Sequence, residues 1–393
     1  MATVKRGQHA DFPKSEYQHR YKRAWALMRE HGLDGLLITG KPNHRYVSGH
    51  HSEFSISTSR PMFTVIAQGK QPVTLTATLE KDVMFVTSHL TDTRHYTGFA
   101  NDALAPLVGL FRDLGLTRAR VGVDFGQEMH MALPLTVFRR LETMAKGIRF
   151  VDGSPALWKL RQIKSQAEVE VIRTSCRASS KGLMAALRKV RAGMTERDVH
   201  RNLFIEILKA GADTVPFLPI HSGPGNYNKY GMTATDRRIR KGDIVWSDPA
   251  CTVKGYYSDF DRMVAVGKAT PDQREIYHII HEVTEECVDA IRPGRPISDA
   301  VKARDKSYKR RGLTEMMGFA GRMGHASGLE MTEPPSVAAF DKTVLEPGMI
   351  IHIEPKLARP YGGFLLEEVV AVTKTGYDYL TPRAPKALPV VGA

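Results

Sequence analysis

The chain has 393 residues, of which 42% are hydrophobic and 25% are charged, as is usual for a soluble globular protein. Its formal net charge is +14, but the basic residues are spread along the chain. We therefore expect mostly solvated faces and no nucleic-acid partner. The sequence contains no run of about 18 apolar residues that could cross a membrane, and the N-terminal stretch lacks the apolar core of a signal peptide. Three separated cysteines form no CxxC pair, which favours a reducing, cytoplasmic location.

The first part of the chain alternates helical and strand-like segments. Residues 17–31 predict a helix that ends at Gly32, and residues 102–115 predict another. The strand candidates are 33–39, 62–67, 71–77 and 120–124. We interpret residues 1–155 as an α/β domain.

The rest of the chain, residues 156–393, repeats one arrangement twice. Helix starts are predicted where a capping residue precedes a helical stretch, near Ser165, Thr195, Thr270 and Ser298. The strand candidates are 243–248, 254–267, 349–355 and 364–373. The order is helix, helix, strands and then helix, helix, strands, which predicts two pseudo-equivalent halves around one sheet.

Carboxylates interrupt the apolar strands of this second domain. Asp248 and Asp259 lie in WSDPACTVKGYYSDFDR, Glu354 follows the isoleucines of IIHIEP, and Glu367 lies in FLLEEVVAV. A buried carboxylate without a partner is costly. Together with His325, which lies among glycines in GRMGHASG, these four acids suit two divalent ions that share bridging oxygens.

These segments resemble the pita-bread metallopeptidases, which include prolidase, aminopeptidase P and the related creatinase. The similar motifs are GDIVWSDPACTVKGYYSDFDR, GHASGLEMTEPP, LEPGMIIHIEP and GGFLLEEVVAVT, in the family's order, and the similarity covers nearly the whole chain. The resemblance implies an α+β fold in which a creatinase-type N-terminal α/β domain precedes a pita-bread domain. It also implies the metal ligands Asp248, Asp259, His325, Glu354 and Glu367, with Glu354 accepting the proton of the attacking water. Manganese is the favoured metal, with cobalt, iron or zinc as alternatives.

Relatives with an N-terminal domain are usually dimers, and the resemblance therefore implies a homodimer. The N-domain of such a dimer covers the neighbour's active site. His51 and Arg60 are accordingly predicted to reach a partner's pocket and bind substrate, and His50 and Phe54 could do the same.

The sequence departs from the peptidases at the histidines that surround their substrate. The corresponding positions here are Gly231, Thr332 and Gly321, and Leu365 replaces an arginine. Candidates to take over are Thr332 and His352 as catalytic donors to the oxyanion, and His221, Tyr230 and Glu333 as substrate-binding residues. Glu330 and Asp261 are further acids near the motifs.

The leading prediction is a metal-dependent hydrolase that cuts a C–N bond in a small, dipeptide- or amide-like substrate within a rewired pocket. One alternative is a metal-dependent lyase acting on a small zwitterion, because some dimethylsulfoniopropionate lyases of this fold also lack the peptidase histidines. Another is a non-catalytic binding domain of the same fold, supported only by the basic isoelectric point near 9.6.

Overall fold

The computed structural model describes residues 4–313 and 321–392. The chain divides into two compact units, Met1–Arg161 and Gln162–Ala393. None of the helices in the described ranges combines the length and the apolarity needed to cross a lipid bilayer.

The first unit is built on a six-stranded mixed sheet in the order β4-β3-β2-β1-β5-β6. Its strands are β1 (Gly35–Ile38), β2 (Phe63–Ala67), β3 (Val73–Ala77), β4 (Thr93–Tyr96), β5 (Arg120–Val123) and β6 (Arg149–Asp152). Its helices are α1 (Lys14–Glu30), α2 (Lys41–Ser48), α3 (Lys81–Thr87), α4 (Leu104–Asp113), α5 (Leu135–Met144) and α6 (Ser154–Gln162). The central strand β1 pairs antiparallel with β2 and parallel with β5.

Apolar residues of this sheet and of two helices share one buried cluster. Leu37 of β1 and Val65 of β2 lie in it together with Leu107 and Phe111 of α4 and Leu141 of α5. The helices and strands predicted in this region are present within a few residues of the expected bounds. The short helix α2 was not predicted, because Pro42 near its start and Gly49 after its end make the segment similar to a loop.

The first half of the second unit has a helix pair followed by strands. Helices α7 (Gln166–Leu187) and α8 (Glu196–Lys209) both begin at the predicted capping boxes, at Ser165 and Thr195. Gly182 of α7 lies so close to α8 that a Cβ placed there would be 2.4 Å from the Ile207 Cα. The strands are β7 (Thr214–Phe217), β8 (Ile220–Ser222), β9 (Ile244–Ser247), β10 (Ala250–Val253), β11 (Tyr256–Asp259) and β12 (Arg262–Val266).

The second half repeats this order. Helix α9 (Pro271–Asp289) is capped by Thr270 as predicted, and α10 (Ser298–Arg310) begins at the predicted serine. The strands are β13 (His325–Ala326), β14 (Glu333–Ser336), β15 (Ile350–Ile353), β16 (Lys356–Arg359), β17 (Gly362–Leu365), β18 (Glu368–Val372), β19 (Tyr377–Tyr379) and β20 (Val390–Val391).

Four sheets carry these strands, in the orders β11-β10-β7, β20-β12-β9-β8, β14-β13-β15-β18-β19 and β16-β17. One buried apolar cluster contains residues of both halves, among them Ile244 of β9, Met263 of β12, Tyr277 of α9, Ile351 of β15 and Val370 of β18. The two predicted halves are therefore present, but they share several small sheets rather than one.

Two predicted strands are each divided in two. The segment 254–267 forms β11 and β12, which pair with β10 and β9 respectively. The segment 364–373 forms β17 and β18, which pair with β16 and β15. Periodicity alone does not reveal such a break, since apolar residues continue on both sides of it.

Candidate metal centre

Strand register brings carboxylates of the two halves to equivalent places. Ser247 of β9 pairs with Arg262 of β12, so that Asp248 and Asp261 flank the end of this pair. Ile353 of β15 pairs with Glu368 of β18, so that Glu354 and Glu367 flank the end of the other pair. The interruptions of the predicted strands thus position acidic side chains.

Asp259 and His325 complete the group. Asp259 ends β11, and its Oδ2 lies 3.6 Å from Nε2 of His325 on β13. The residue before the histidine, Gly324, has φ +146°, and a Cβ there would be 2.0 Å from the His352 carbonyl oxygen. Only glycine allows this approach, as the sequence predicted for the residues around His325.

The His325 ring is oriented for ligation. Its Nδ1 lies 3.0 Å from the Ala326 carbonyl oxygen, which can only accept a hydrogen bond. Nδ1 therefore carries the hydrogen, and Nε2 presents its lone pair towards Asp259. Burial lowers the pKa of His325, although Glu354 opposes the shift, so the ring is neutral as a metal ligand requires.

The acids repel one another. Burial, and then Glu354, raise the pKa of Asp248 to about 7. Burial, and then Asp248 and Glu354, raise the pKa of Asp259 well above its usual value. Burial, and then Asp259 and Asp248, do the same to Glu367. A cation between these groups would relieve the repulsion.

The predicted ligand set fits divalent ions. Asp248 Oδ1 and Asp259 Oδ1 are shielded from solvent and make no hydrogen bond within the described ranges. Oxygen-rich ligation of this kind suits hard divalent cations such as manganese. Asp259, His325 and Glu367 are buried, whereas Asp248 and Glu354 are partly exposed and form the open face of the centre.

His352 lies closer to the centre than a substrate-facing residue would. Ligand atoms of Asp259, His325, His352 and Glu367 all lie within 4.8 Å of one another. However, His352 Nδ1 is 2.8 Å from Glu367 Oε1, and Nε2 is 2.7 Å from Ser327 Oγ. Both nitrogens are occupied and the ring is fully buried, which favours a positioning role over the predicted oxyanion contact. Asp248 and Glu354 fall outside this tight group because two ions need a wider site than one.

The other predicted residues of this unit have different surroundings. Thr332 is partly buried and precedes β14. Glu333, predicted to bind substrate, instead accepts a hydrogen bond from Lys164 Nζ at 3.0 Å, and both side chains are 1% exposed. This buried ion pair gives Glu333 a structural role.

His221 and Tyr230 belong to an aromatic group beside the centre. His221 stacks on Trp246, with ring centroids 4.7 Å apart, and Tyr230 lies edge-on to His221 at 5.6 Å. Burial lowers the pKa of His221 to about 4. Burial, and then Asp261, raise the pKa of Tyr230.

Sequence reasoning passed over Trp246 and Ser327 and gave Asp261 no role. Trp246 lies two positions before Asp248, on the same face of its strand, and this spacing could have identified it. Ser327 follows His325 by two positions in the same way. Their roles depend on contacts between distant strands, which spacing does not reveal.

His51 and Arg60 lie in the first unit. His51 Nδ1 is 3.9 Å from the Asp11 carboxylate, and the Arg60 guanidinium lies 4.9 Å from the centroid of the Phe99 ring. Their predicted contact with a partner's substrate pocket stays a prediction.

Residues 170–374 match Metallopeptidase family M24, and residues 20–163 match the Creatinase/Prolidase N-terminal domain. An Xaa-Pro dipeptidase from Pyrococcus furiosus is 34% identical over 224 residues, which cover 56% of this chain and 64% of that protein. An Xaa-Pro dipeptidase from Pyrococcus horikoshii is 32% identical over 252 residues, which cover 64% of this chain and 71% of that protein.

Among solved structures, the dipeptidase PepE from Mycobacterium ulcerans aligns with a TM-score of 0.84 at 27% identity, covering 97% of this chain and 100% of that one. These matches confirm the resemblance stated from the sequence. They also confirm the expected α+β fold, with a creatinase-type N-terminal domain before a pita-bread domain.

Proposed function

The chain belongs to metallopeptidase family M24, and from this premise we propose that it hydrolyses a C–N bond in a small, Xaa-Pro dipeptide-like substrate, using two divalent metal ions. Membership confirms the predicted enzyme class, a metal-dependent hydrolase, at the level of the family. The Xaa-Pro dipeptidases of the two Pyrococcus species support the substrate class. The comparisons give the lyase alternative no support.

The observation that carries the proposal is the buried acid group with oxygens that lack protein partners. Asp248 Oδ1 and Asp259 Oδ1 have no hydrogen-bond partner in the described part of the chain. A structural ion pair would have supplied one, as Arg262 does for Glu368 at 3.0 Å. The unpaired oxygens are therefore reserved for cations.

Two ions held by Asp248, Asp259, His325, Glu354 and Glu367 would supply a water of lowered pKa and a polarised carbonyl. Glu354 is our candidate for accepting the proton of that water, because it is partly exposed at the open face of the centre. His325 stays neutral and keeps its Nε2 directed at the centre, since Ala326 fixes its Nδ1 hydrogen. Thr332 is the remaining candidate for a hydrogen bond to the oxyanion.

The pocket is proposed to differ from that of a peptidase with several histidines around its substrate. Gly231 has no side chain, and a Cβ there would meet nothing within 4 Å. Tyr230 and His221 lie nearby and are our candidates to replace the lost donors. We expect slower dipeptide cleavage as a result, since each missing oxyanion donor costs about 10²–10³ in rate.

Manganese, a homodimer and a cytoplasmic location complete the proposal. The oxygen-rich ligand set supports manganese, and the family resemblance supports the dimer. Light scattering on the eluted protein measures the oligomer directly, and a monomeric mass at micromolar concentration would refute the dimer.

Elemental analysis followed by an Xaa-Pro dipeptide assay with added manganese tests the function. We expect close to two metals per chain and measurable cleavage. Asp259→Ala and His325→Ala should lose metal and activity together, while Asp236→Ala, which changes an aspartate with an 80% exposed side chain, should lose neither. Full turnover in either ligand variant would contradict the proposal. Two metals without dipeptide cleavage would exclude this substrate class.

A further inference from the structure

Buried polar atoms without partners gather beside the metal centre. They are Asp261 Oδ2, Trp246 Nε1, the Tyr230 hydroxyl and both ring nitrogens of His221, and none forms a hydrogen bond with residues 4–313 or 321–392. Folded proteins leave few buried polar groups unsatisfied. We call these four residues the Asp261 cluster. Their concentration in one place indicates that a polar occupant completes their hydrogen bonds.

The members of the Asp261 cluster are neighbours. Trp246 stacks on His221, and Tyr230 lies edge-on to Trp246, with ring centroids 5.4 Å apart. After burial, Asp261 is the other cause that raises the pKa of Tyr230. Burial and then Asp248 raise the pKa of Asp261, while the Trp246 indole opposes the shift. The cluster therefore adjoins the metal ligand Asp248.

The Asp261 carboxylate is fully buried without a protein cation to neutralise it. Its Oδ1 accepts a hydrogen bond from the Glu367 amide at 3.2 Å, which leaves Oδ2 without a partner. The adjacent Arg262 donates instead to the backbone carbonyls of Asp261 and Glu367 and to the Glu368 carboxylate. A carboxylate in this state favours an incoming positive charge.

An organic cation suits the cluster better than another metal ion. Trp246 Nε1 can only donate a hydrogen bond, so it cannot ligate a metal. Aromatic rings next to a carboxylate bind ammonium groups well, because the ring faces attract the cation while the carboxylate pairs with it. Lys356 Nζ lies 5.1 Å from the Tyr230 ring centroid, and its charge acts on Asp248.

We propose that the Asp261 cluster is the subsite for a positively charged nitrogen group of the substrate, the α-ammonium in the case of a dipeptide. This inference rests on the proposed hydrolase function and adds a requirement for positive charge next to the scissile bond. Asp261 would form the ion pair, and the Tyr230 hydroxyl would accept a further N–H. The position beside Asp248 would hold this nitrogen close to the bound metal ions.

The direct test compares glycyl-proline with acetyl-proline, which has the same shape but lacks the ammonium group. The manganese-loaded wild type should prefer glycyl-proline by a large factor. Asp261→Asn should reduce that preference about 10- to 100-fold, the usual effect of removing one partner of a buried charge pair. Its metal content should stay at the wild-type value. Loss of metal in this variant would make Asp261 a ligand and overturn the subsite, as would an unchanged preference.

The matched control is Asp243→Asn. Asp243 is a buried aspartate of the same unit, but its carboxylate is paired with Arg237 at 2.8 Å. This variant should change turnover of both substrates by the same factor. If Asp261→Asn does not fold, Tyr230→Phe gives the same readout, because it removes only a hydroxyl. We expect it to reduce the preference for glycyl-proline several-fold, and an unchanged preference would overturn the proposal.

A binding measurement separates this inference from the proposed hydrolysis. Calorimetry on the manganese-loaded protein would compare glycinamide, which carries an ammonium, with neutral acetamide. Tighter binding of glycinamide by the wild type, lost in Asp261→Asn, supports the subsite even if no dipeptide is cleaved. Equal binding of the two amides overturns the subsite even if dipeptides are cleaved.

Discussion

His352 illustrates how one side chain can determine the geometry of a metal ligand. Its Nδ1 lies 2.9 Å from the Asp259 carbonyl oxygen and 2.8 Å from Glu367 Oε1, and both oxygens only accept hydrogen bonds. Nδ1 therefore carries the hydrogen, and Nε2 accepts one from the Ser327 hydroxyl. The ring thus holds Glu367 in place from behind, and such support typically changes metal affinity 10- to 100-fold.

Two substitutions separate the nitrogens of His352. Asparagine places an N–H near the Nδ1 position, so His352→Asn should keep most of the manganese affinity. Glutamine reaches the Nε2 position instead, so His352→Gln should weaken binding by about 10- to 100-fold. Competition with a chelator measures both affinities. Equal losses would contradict the positioning role, and a loss of turnover at unchanged affinity would favour the oxyanion role.

The second prediction concerns pH and His221. Burial lowers the pKa of this ring from 6.5 to about 4 in the folded protein. The unfolded chain therefore binds a proton below about pH 6.5 that the folded chain refuses until about pH 4, so stability falls as the pH falls through this window. The 2.5-unit difference corresponds to about 3 kcal/mol at full effect.

His221→Phe should remove this part of the pH dependence. Urea unfolding at pH 7.5 and 4.5 should show a smaller loss of stability in the variant than in the wild type. The control is His278→Gln, because the side chain of His278 is 62% exposed and its removal should leave the slope unchanged. A slope that stays at the wild-type value in His221→Phe would refute the assignment.

At the scale of single residues, the sequence indicated the acids and the histidine but not their surroundings. Asp248, Asp259, Glu354 and Glu367 stood out because each interrupts an apolar run. The hydrogen bonds of His352 and the unpaired state of Asp261 depend on residues about 15 to 106 positions away in the sequence. Local spacing carries no information about such contacts.

At the scale of helices, the close approach of α7 and α8 depends on Gly182. A Cβ there would lie 2.4 Å from the Ile207 Cα and 2.5 Å from its backbone nitrogen. Backbone atoms cannot rotate away as a side chain can, so the helices would have to separate. Overpacking of this kind costs about 1–3 kcal/mol.

Gly182→Ala should therefore destabilise the protein, although alanine is the better helix former. The matched control is Gly109→Ala, within α4, where an added Cβ would meet nothing within 4 Å. That substitution should stabilise by about 0.5–1 kcal/mol. Denaturant unfolding measures both changes. Stabilisation by Gly182→Ala would contradict the tight helix contact.

The helices were predicted better than the strands, for a physical reason. Capping boxes at Ser165, Thr195 and Thr270 are local signals, and each marks an observed helix start. The strands around Asp261 and Glu367 end where their pairing partner changes, which is a property of the tertiary structure. Sequence periodicity therefore predicted one long strand where the fold has two.

At the scale of the whole molecule, the metal ions should decide the stability of the second unit. Their removal leaves Asp248, Asp259 and Glu367 repelling one another, whereas binding at 100 times the Kd stabilises by about 2.7 kcal/mol. Hydrogen exchange should therefore accelerate in β11, β15 and β18 on chelation. The sheet of the first unit, which includes none of the proposed ligands, should exchange at an unchanged rate.

Asp259→Ala provides the comparison for this experiment. In that variant, manganese addition should give little or no protection to β15 and β18. Equal acceleration in both units of the wild type would contradict a stabilising effect confined to the second unit.

The equivalent strand pairs β9–β12 and β15–β18 each deliver part of one charged centre. A ribosome releases Asp248 and Asp259 long before it releases Glu354 and Glu367. A half-made chain therefore carries acids that nothing yet gathers around an ion, and it competes poorly for scarce metal. Loading is the closing event of biogenesis, so the metal supply available to finished chains sets how much active protein a cell obtains.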